Sequence, residues 1–434
     1  MPFTISLSEF FLFLSCDSTI FLITCHCFSV RFNITQIRRI TMKIRKSIYA
    51  LIIVVCSVIS SRAISTNQTE QSDFLLGSVE ALANEEGENE SNGLSVSFSI
   101  TEKNRLFFLE SKMKNIRFNP VFPDVFIGIP RDLYIIENNL LILDEYEGKQ
   151  LTLVDLQAPS NVKRIGSKGQ GPNEFLRISN LSYNPVTKVI RVFDEYARRQ
   201  YSYSVNNRRI FFNDANLKGK TLLANTVYNV IPLGNSFVAN GNFNGKQFAL
   251  LNEKSEIVEE FGVFPGNKDA INSGLAFYLL NQNRLVVNPQ ETHFAAAGFM
   301  NDQLVFYKKE GNSVTKLKEY FNYDTEATPT VRNQGNGNLY SFSENDNTMR
   351  AYVDVYATEN HLYALYLGLS NADLERGGNQ PCYILRFDWN GKFMGGYKSD
   401  FLLMAFAVDE ANKKIYAVTR PSGDSESMLV ESSF

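Results

Sequence analysis

Leu181-Ser182-Tyr183-Asn184-Pro185-Val186-Thr187-Lys188-Val189-Ile190-Arg191-Val192-Phe193 reads as a strand, a turn and a second strand. Apolar and polar residues alternate on both sides, and Asn-Pro marks the turn between them. Phe406 to Val418 matches this stretch position by position in polarity. Further copies start near Leu133 (turn Glu137-Asn138-Asn139), Val230 (turn Gly234-Asn235), Val287 (turn Pro289-Gln290-Glu291) and Val355 (turn Thr358-Glu359-Asn360). Six strand–turn–strand units therefore recur, about 48 to 68 residues apart.

A second repeat follows the first. Leu143 to Leu153 aligns with Phe193 to Tyr203 at an offset of 50 residues, bringing Asp144-Glu145 onto Asp194-Glu195; Asn242 to Leu250 is a looser copy. Each period thus predicts two inner strands and an outer hairpin, a four-stranded antiparallel blade. One such sheet has two apolar faces and cannot bury both alone, whereas blades stacked radially bury both and leave only short edges. The predicted fold is all-β, a six-bladed β-propeller over residues 104–434, preceded by a signal peptide and a flexible linker. The last unit, ending Met428-Leu429-Val430, is short of strands. Leu106-Phe107-Phe108-Leu109 is expected to supply its outer strand and close the ring.

Composition agrees. A length of 434 residues suggests two or three domains as a soft prior, but one propeller can occupy it. Aromatics at 13%, with 34 Phe and 20 Tyr, favour strands. Hydrophobic residues at 44% and charged residues at 21% exclude wholesale disorder, a collagen-like fibre and a polytopic membrane protein. Only three histidines occur, His26, His293 and His361, so the commonest general base and metal ligand is scarce. Residues 64–434 hold 36 basic and 44 acidic groups and no basic stripe, which argues against nucleic acid as a partner.

The N-terminal region has its own logic. Met42-Lys43-Ile44-Arg45-Lys46 is a basic n-region, and Ser47 to Ser60 is an apolar stretch too short to span a bilayer comfortably. Ser61-Arg62-Ala63 places small residues for cleavage after Ala63, so residues 42–63 read as a secretory signal peptide. Residues 1–41 are then an over-extended upstream reading, with translation expected to begin at Met42. Cys56 follows Ile53-Val54-Val55 and is a weaker candidate for lipidation, because Val55 is not small. Four of the five cysteines precede residue 57, so a processed chain keeps Cys382, alone or with a lipidated Cys56. Such a chain has no internal disulfide and no cysteine metal site. The membrane is met only through the leader or that anchor. Residues 64–103 are rich in Ser, Asn, Gln and Glu and read as a linker. Within it, Val79-Glu80-Ala81-Leu82-Ala83 resembles the motif of the NVEALA family of short secreted Bacteroidetes proteins, with Ser78 in place of Asn.

One loop stands out. Gly166-Ser167-Lys168-Gly169-Gln170-Gly171-Pro172-Asn173-Glu174-Phe175 follows the strand Val162 to Ile165. Its glycine order is the reverse of the dinucleotide fingerprint, and it lacks the Gly-Lys-Ser/Thr of a P-loop. Gly166, Gly169 and Gly171 are expected to permit positive φ in a tight inter-blade link; Pro172 fixes the exit and Phe175 anchors it. The loop resembles the inter-blade signature of secreted Bacteroidetes propellers of the TolB-like or NHL-like kind, with Asn173 where Gly is usual. That resemblance implies fold and compartment, the periplasm or cell surface, and transfers no catalytic residue.

The remaining chemistry is sparse. The paired acids of the repeats read as turn residues, with calcium or glycan contact as the alternative. Asp388-Trp389-Asn390-Gly391 predicts a type I′ hairpin turn from its Asn390-Gly391 pair, and the calcium-loop pattern it begins ends on Ser399 rather than an acid. His293 and His361 read as strand-end histidines, and no G-x-S-x-G motif is present. The expected function is a non-enzymatic binding or scaffold module for a glycan, a peptide or an envelope protein. Its candidate ligand residues are Lys168, Gln170, Asn173, Glu174 and Arg177, on the loop face around the channel. The alternative is a calcium-dependent hydrolase or lyase working through acidic channel residues; otherwise no cofactor is expected.

Overall fold

The structure, a computed structural model, describes residues 12–16, 19–23, 112–206, 210, 212–224, 227–265, 275–321, 325–333, 338–376, 380–420 and 426–434. The signal peptide, Cys56, the linker and Leu106 to Leu109 lie outside these residues. The chain divides into two units, 1–92 and 93–434. In the first, β1 (Leu12–Cys16) and β2 (Thr19–Ile23) pair as an antiparallel hairpin.

The second unit is a ring of six blades. Blade one is β5 (Ile129–Ile136), β6 (Asn139–Tyr146), β7 (Lys149–Asp155) and β8 (Val162–Ser167). Blade two is β9 (Ile178–Asn184), β10 (Val189–Asp194), β11 (Arg199–Ser204) and β12 (Leu217–Leu222). Blade three is β13 (Val227–Leu233), β14 (Ser236–Phe243), β15 (Lys246–Leu251) and β16 (Ile257–Val263). Blade four is β17 (Asn283–Val287), β18 (His293–Gly298), β19 (Leu304–Glu310) and β20 (Ser313–Tyr320). Blade five is β23 (Met349–Ala357), β24 (His361–Ser370), β25 (Tyr383–Asp388) and β26 (Phe393–Ser399), and blade six begins β27 (Leu403–Asp409), β28 (Lys414–Thr419), β29 (Met428–Ser433). Each of the six predicted units is the inner hairpin of one blade. The longest spacing, before Val355, contains an inserted hairpin, β21 (Thr328–Asn333) and β22 (Asn338–Ser343).

Ring closure uses the N-terminal side of the domain, but later residues than the sequence suggested. The outer strand of blade six is β4 (Asn119–Pro120), antiparallel to β29. The preceding strand β3 (Met113–Ile116) adds to blade five as a fifth, parallel strand. Between them Phe118 is 2% exposed, and its N–H donates to Asp400 Oδ1 at 3.1 Å. The segment is thus clamped to both blades at the seam.

The core consists of one apolar cluster per inter-blade interface, as expected for sheets that cannot bury their faces alone. Leu143, Leu151, Ile178 and Tyr201 join blades one and two; Phe193, Val230 and Ala239 join two and three. Phe248, Phe294 and Tyr307 join three and four; Phe306, Leu385 and Phe387 join four and five. Phe118, Leu365 and Phe406 join five and six; Leu133, Leu140 and Val418 close six onto one. Cys382, inside the seam cluster, is fully buried, and burial pushes its thiol up to about 12, so it is no nucleophile.

The Asp388–Gly391 turn corrects one expectation. A type I′ turn needs positive φ at both central residues. Here only Gly391 has it, at +82°. The Gly391 N–H donates to the Asp388 carbonyl, and Asp388 Oδ1 accepts from the N–H groups of Asn390 and Lys392. The result is a type I turn followed by a left-handed glycine, with the Asp388 side chain competing for the turn's N–H groups. Trp389 is buried, its indole N–H donating to the Thr358 carbonyl at 3.3 Å, so it is a packing residue.

Candidate functional site

The inner strands β5, β9, β13, β17 and β23 each place a polar residue directly before an apolar one: Asp132-Leu133, Asn180-Leu181, Asn229-Val230, Arg284-Leu285 and Asp354-Val355. The apolar partner enters an inter-blade cluster, so alternation puts the polar one on the blade's other face, and all five polar residues line the central cavity. These residues tie neighbouring blades together. Asn180 Nδ2 donates to Asn229 Oδ1 at 2.9 Å and to the Val230 carbonyl at 3.3 Å. Arg284 Nε donates to the Val353 carbonyl at 3.1 Å, and Asp354 Oδ2 accepts from the Phe406 N–H at 2.9 Å.

Three of them converge. Arg284, on blade four, brings Nη1 to 3.7 Å from Asp132 Oδ2 on blade one, and Asp354 hydrogen-bonds to Asp132. Burial and the neighbouring Asp132 carboxylate push the Asp354 carboxyl well above the usual carboxylate range, against the pull of Arg284.

This trio floors a cavity of about 1310 Å³. The cavity is walled by Tyr134, Asn180, Asn229 and Tyr356 and rimmed by the turns that join each first strand to its second, including Asn138, Gln290, Asn360 and Asn412. Two rim acids already have partners. Glu137 accepts from the Tyr183 hydroxyl and Lys188 Nζ, both at 2.5 Å. Glu410 Oε1 lies 2.6 Å from His361 Nδ1 and accepts from the Tyr363 hydroxyl at 2.8 Å. His361 thus bridges blades five and six. His293 lies at the start of β18 with Nδ1 2.9 Å from the Thr292 hydroxyl, and burial lowers its pKa.

The residues singled out from the sequence lie at the other end of the ring, where inter-blade links run; none lines the cavity. Lys168 pairs with Glu145. Arg177 Nη1 donates to the Tyr196 hydroxyl at 2.9 Å, and its Nε lies 3.6 Å from Glu195. Burial and the Arg177 charge lower the Arg131 pKa, and Arg131 Nη2 is buried with no partner among the described residues. Gln170 is exposed. Asn173 and Glu174 hold the loop itself: Asn173 Nδ2 donates to Asp214 at 3.2 Å, and Glu174 Oε2 accepts from the Gly171 N–H at 2.8 Å.

The loop's glycines are needed for two different reasons. Gly166 has φ +71°, as expected. Gly169 and Gly171 do not have positive φ; they lie under the Glu174 carboxylate, which a Cβ would meet at 2.0 and 2.9 Å. Phe175 is fully buried against Tyr201 and Phe212. Asn173 has φ +60°, the conformation for which glycine is usual and asparagine is tolerated. Asn173→Gly is therefore expected to be nearly neutral. Asn173→Val, which loses the same hydrogen bond, should be about 1–2 kcal/mol less stable than the glycine variant in urea unfolding.

The repeated aspartates are held within their own blades and links. Asp144 Oδ2 accepts from Thr152 and Arg164, both at 3.1 Å, and Asp194 accepts from the N–H groups of Leu176, Arg177 and Ala197. Among the described residues no three His, Cys, Asp or Glu side chains cluster in a way that could hold a metal ion.

A closed ring of six four-stranded units around an axial cavity defines a six-bladed β-propeller. The family described as TolB-like 6-blade propeller-like matches residues 110–411, and the chain belongs to it. Solved structures similar to it include a Bacteroides fragilis protein described as exported, at 14% identity and TM-score 0.42, covering 76% of this chain and 97% of the other. A Bacteroides vulgatus member of the DUF4221 family is similar at 10% identity and TM-score 0.42, covering 74% and 96%. No curated protein matches. No helix among the described residues is long and apolar enough to cross a membrane.

Proposed function

We propose that this propeller is an exported binding module that takes a short glycan in its central cavity. The observation that carries the reading is the cavity itself, about 1310 Å³ and walled by amide and phenol side chains above a charged floor. That volume exceeds the few hundred to about 1,000 Å³ of a small-molecule pocket and suits an oligomer. Asn138 and Asn360 offer paired donors and acceptors for sugar hydroxyls, and Tyr134 and Tyr356 offer flat faces. A peptide or an envelope protein remains the other partner class, and export rests on the leader read at Met42–Ala63.

Screening the secreted domain on glycan and peptide arrays, followed by calorimetry of hits with and without calcium, tests this. Ser182→Trp fills the cavity from its wall and should abolish glycan binding while strand content is kept. Binding unchanged in that variant would remove the cavity from the function. Hits confined to peptides would overturn the sugar assignment, and stoichiometric calcium whose loss destabilises the domain would favour the hydrolase or lyase reading.

A further inference from the structure

A second concavity lies at the outer edge of blade five, away from the axis. Its volume is about 460 Å³, and its lining is Lys112, Lys114, Arg386, Lys392, Phe393, Met394, Gly396 and Tyr397. Four cations and no acid face it, and none of the four pairs with an acid among the described residues. This is unusual on a domain whose net charge is negative.

Register explains how the groove forms. Arg386 on β25 lies opposite Gly395 on β26, so no side chain from the directly opposite position shields the guanidinium. Gly395 has φ +104°, and a Cβ there would lie 2.7 Å from the Lys112 carbonyl. The glycine thereby lets β3 approach closely enough to pair in parallel, with Lys114 opposite Tyr397. That pairing carries Lys112 and Lys114 to the rim facing Lys392. Arg386 Nη2 donates to the Met394 carbonyl at 3.3 Å, while its Nε is buried with no partner among the described residues. A buried N–H without an acceptor is costly, and an oxyanion would supply one. Met394, 39% exposed, adds an apolar lip.

We propose that this groove is a phosphate-binding site, independent of the central cavity. The Arg386 guanidinium and the three lysine ammonium groups are the donors. A single carboxylate would leave most of this charge uncompensated, whereas a phosphate presents several acceptor oxygens to converging donors. The phosphate could be free or part of an anionic lipid headgroup, with Met394 and Phe393 meeting the acyl boundary in the second case.

The test uses the domain with its β3 strand intact. Calorimetry with inorganic pyrophosphate, and co-sedimentation with phosphatidylglycerol-containing against pure phosphatidylcholine vesicles, are measured on three proteins. These are the wild type, Lys112→Gln/Lys114→Gln/Lys392→Gln, and the control Lys218→Gln/Lys254→Gln. All substituted lysines are exposed, so folding should be retained. Wild type and control should bind at least one probe in a salt-sensitive way, and the groove variant should bind it roughly a hundredfold more weakly, given about fivefold per lysine. Vesicle binding that pyrophosphate fails to match assigns the lipid source; pyrophosphate binding without vesicle binding assigns the free ion. No binding of either probe, or equal weakening in the control, overturns the proposal.

Discussion

Deleting Lys112 to Val121 is expected to abolish cooperative unfolding of the whole propeller. The deletion removes the outer strand of blade six and the fifth strand of blade five together, and those two blades form the seam. It also empties the place of Phe118, which is packed among the buried residues joining them. A propeller blade is stabilised mainly by its two neighbours, so an opened seam exposes one face of each flanking blade. Phe118→Ala should by itself cost about 3–5 kcal/mol, from lost transfer energy and the cavity left behind. Leu222→Ala, on the outer strand of blade two where the side chain is 66% exposed, should stay within about 0.5 kcal/mol. Urea unfolding followed by circular dichroism measures all three. A Phe118→Ala protein as stable as the Leu222 variant would show that the closure does not hold the ring.

Replacing Arg284 by alanine should produce the second large effect, one that depends on pH. The guanidinium bonds the Val353 carbonyl and faces the Asp132–Asp354 pair, so its loss leaves two neighbouring acids without their cation. Breaking a fully buried pair costs about 3–5 kcal/mol. Here about 2–3 kcal/mol is expected at neutral pH, because the Arg284 side chain keeps 36% of its surface open to the cavity and water there screens the interaction. Asp354 has a raised folded-state pKa, so between the ordinary carboxylate value and that raised value the folded protein binds a proton that the unfolded chain has released. That contribution is fully present below the ordinary carboxylate value near 4 and is lost as pH rises toward the folded-state value. Without Arg284 the Asp354 carboxyl is pushed up further, so the variant should be penalised most at neutral and alkaline pH. The gap between variant and wild type should narrow as pH falls toward about 4. Unfolding free energies across that range decide it; a gap independent of pH would mean that Arg284 acts only through its bond to Val353.

The inner hairpins were legible in the chain because local signals suffice for them. Alternating β-branched and aromatic residues set the strand period, and turns such as Asn184-Pro185 and Gly234-Asn235 set where the strands reverse. Six copies then required radial stacking, since no blade hides both its faces alone. The buried loop anchor Phe175 and the left-handed Gly166 were likewise local consequences of the inter-blade link. The site was not legible in this way. Asp132, Arg284 and Asp354 are separated by tens to hundreds of residues, and each is one polar position in an apolar strand. A polar residue before each apolar partner was a signal that could have marked the axis, but only ring closure brings the charges together and pushes the Asp354 carboxyl up. The seam followed the same rule. Whether Leu106 to Leu109 or Asn119–Pro120 completes blade six depends on which backbone edge lies against β29, and that edge exists only once the other five blades have packed.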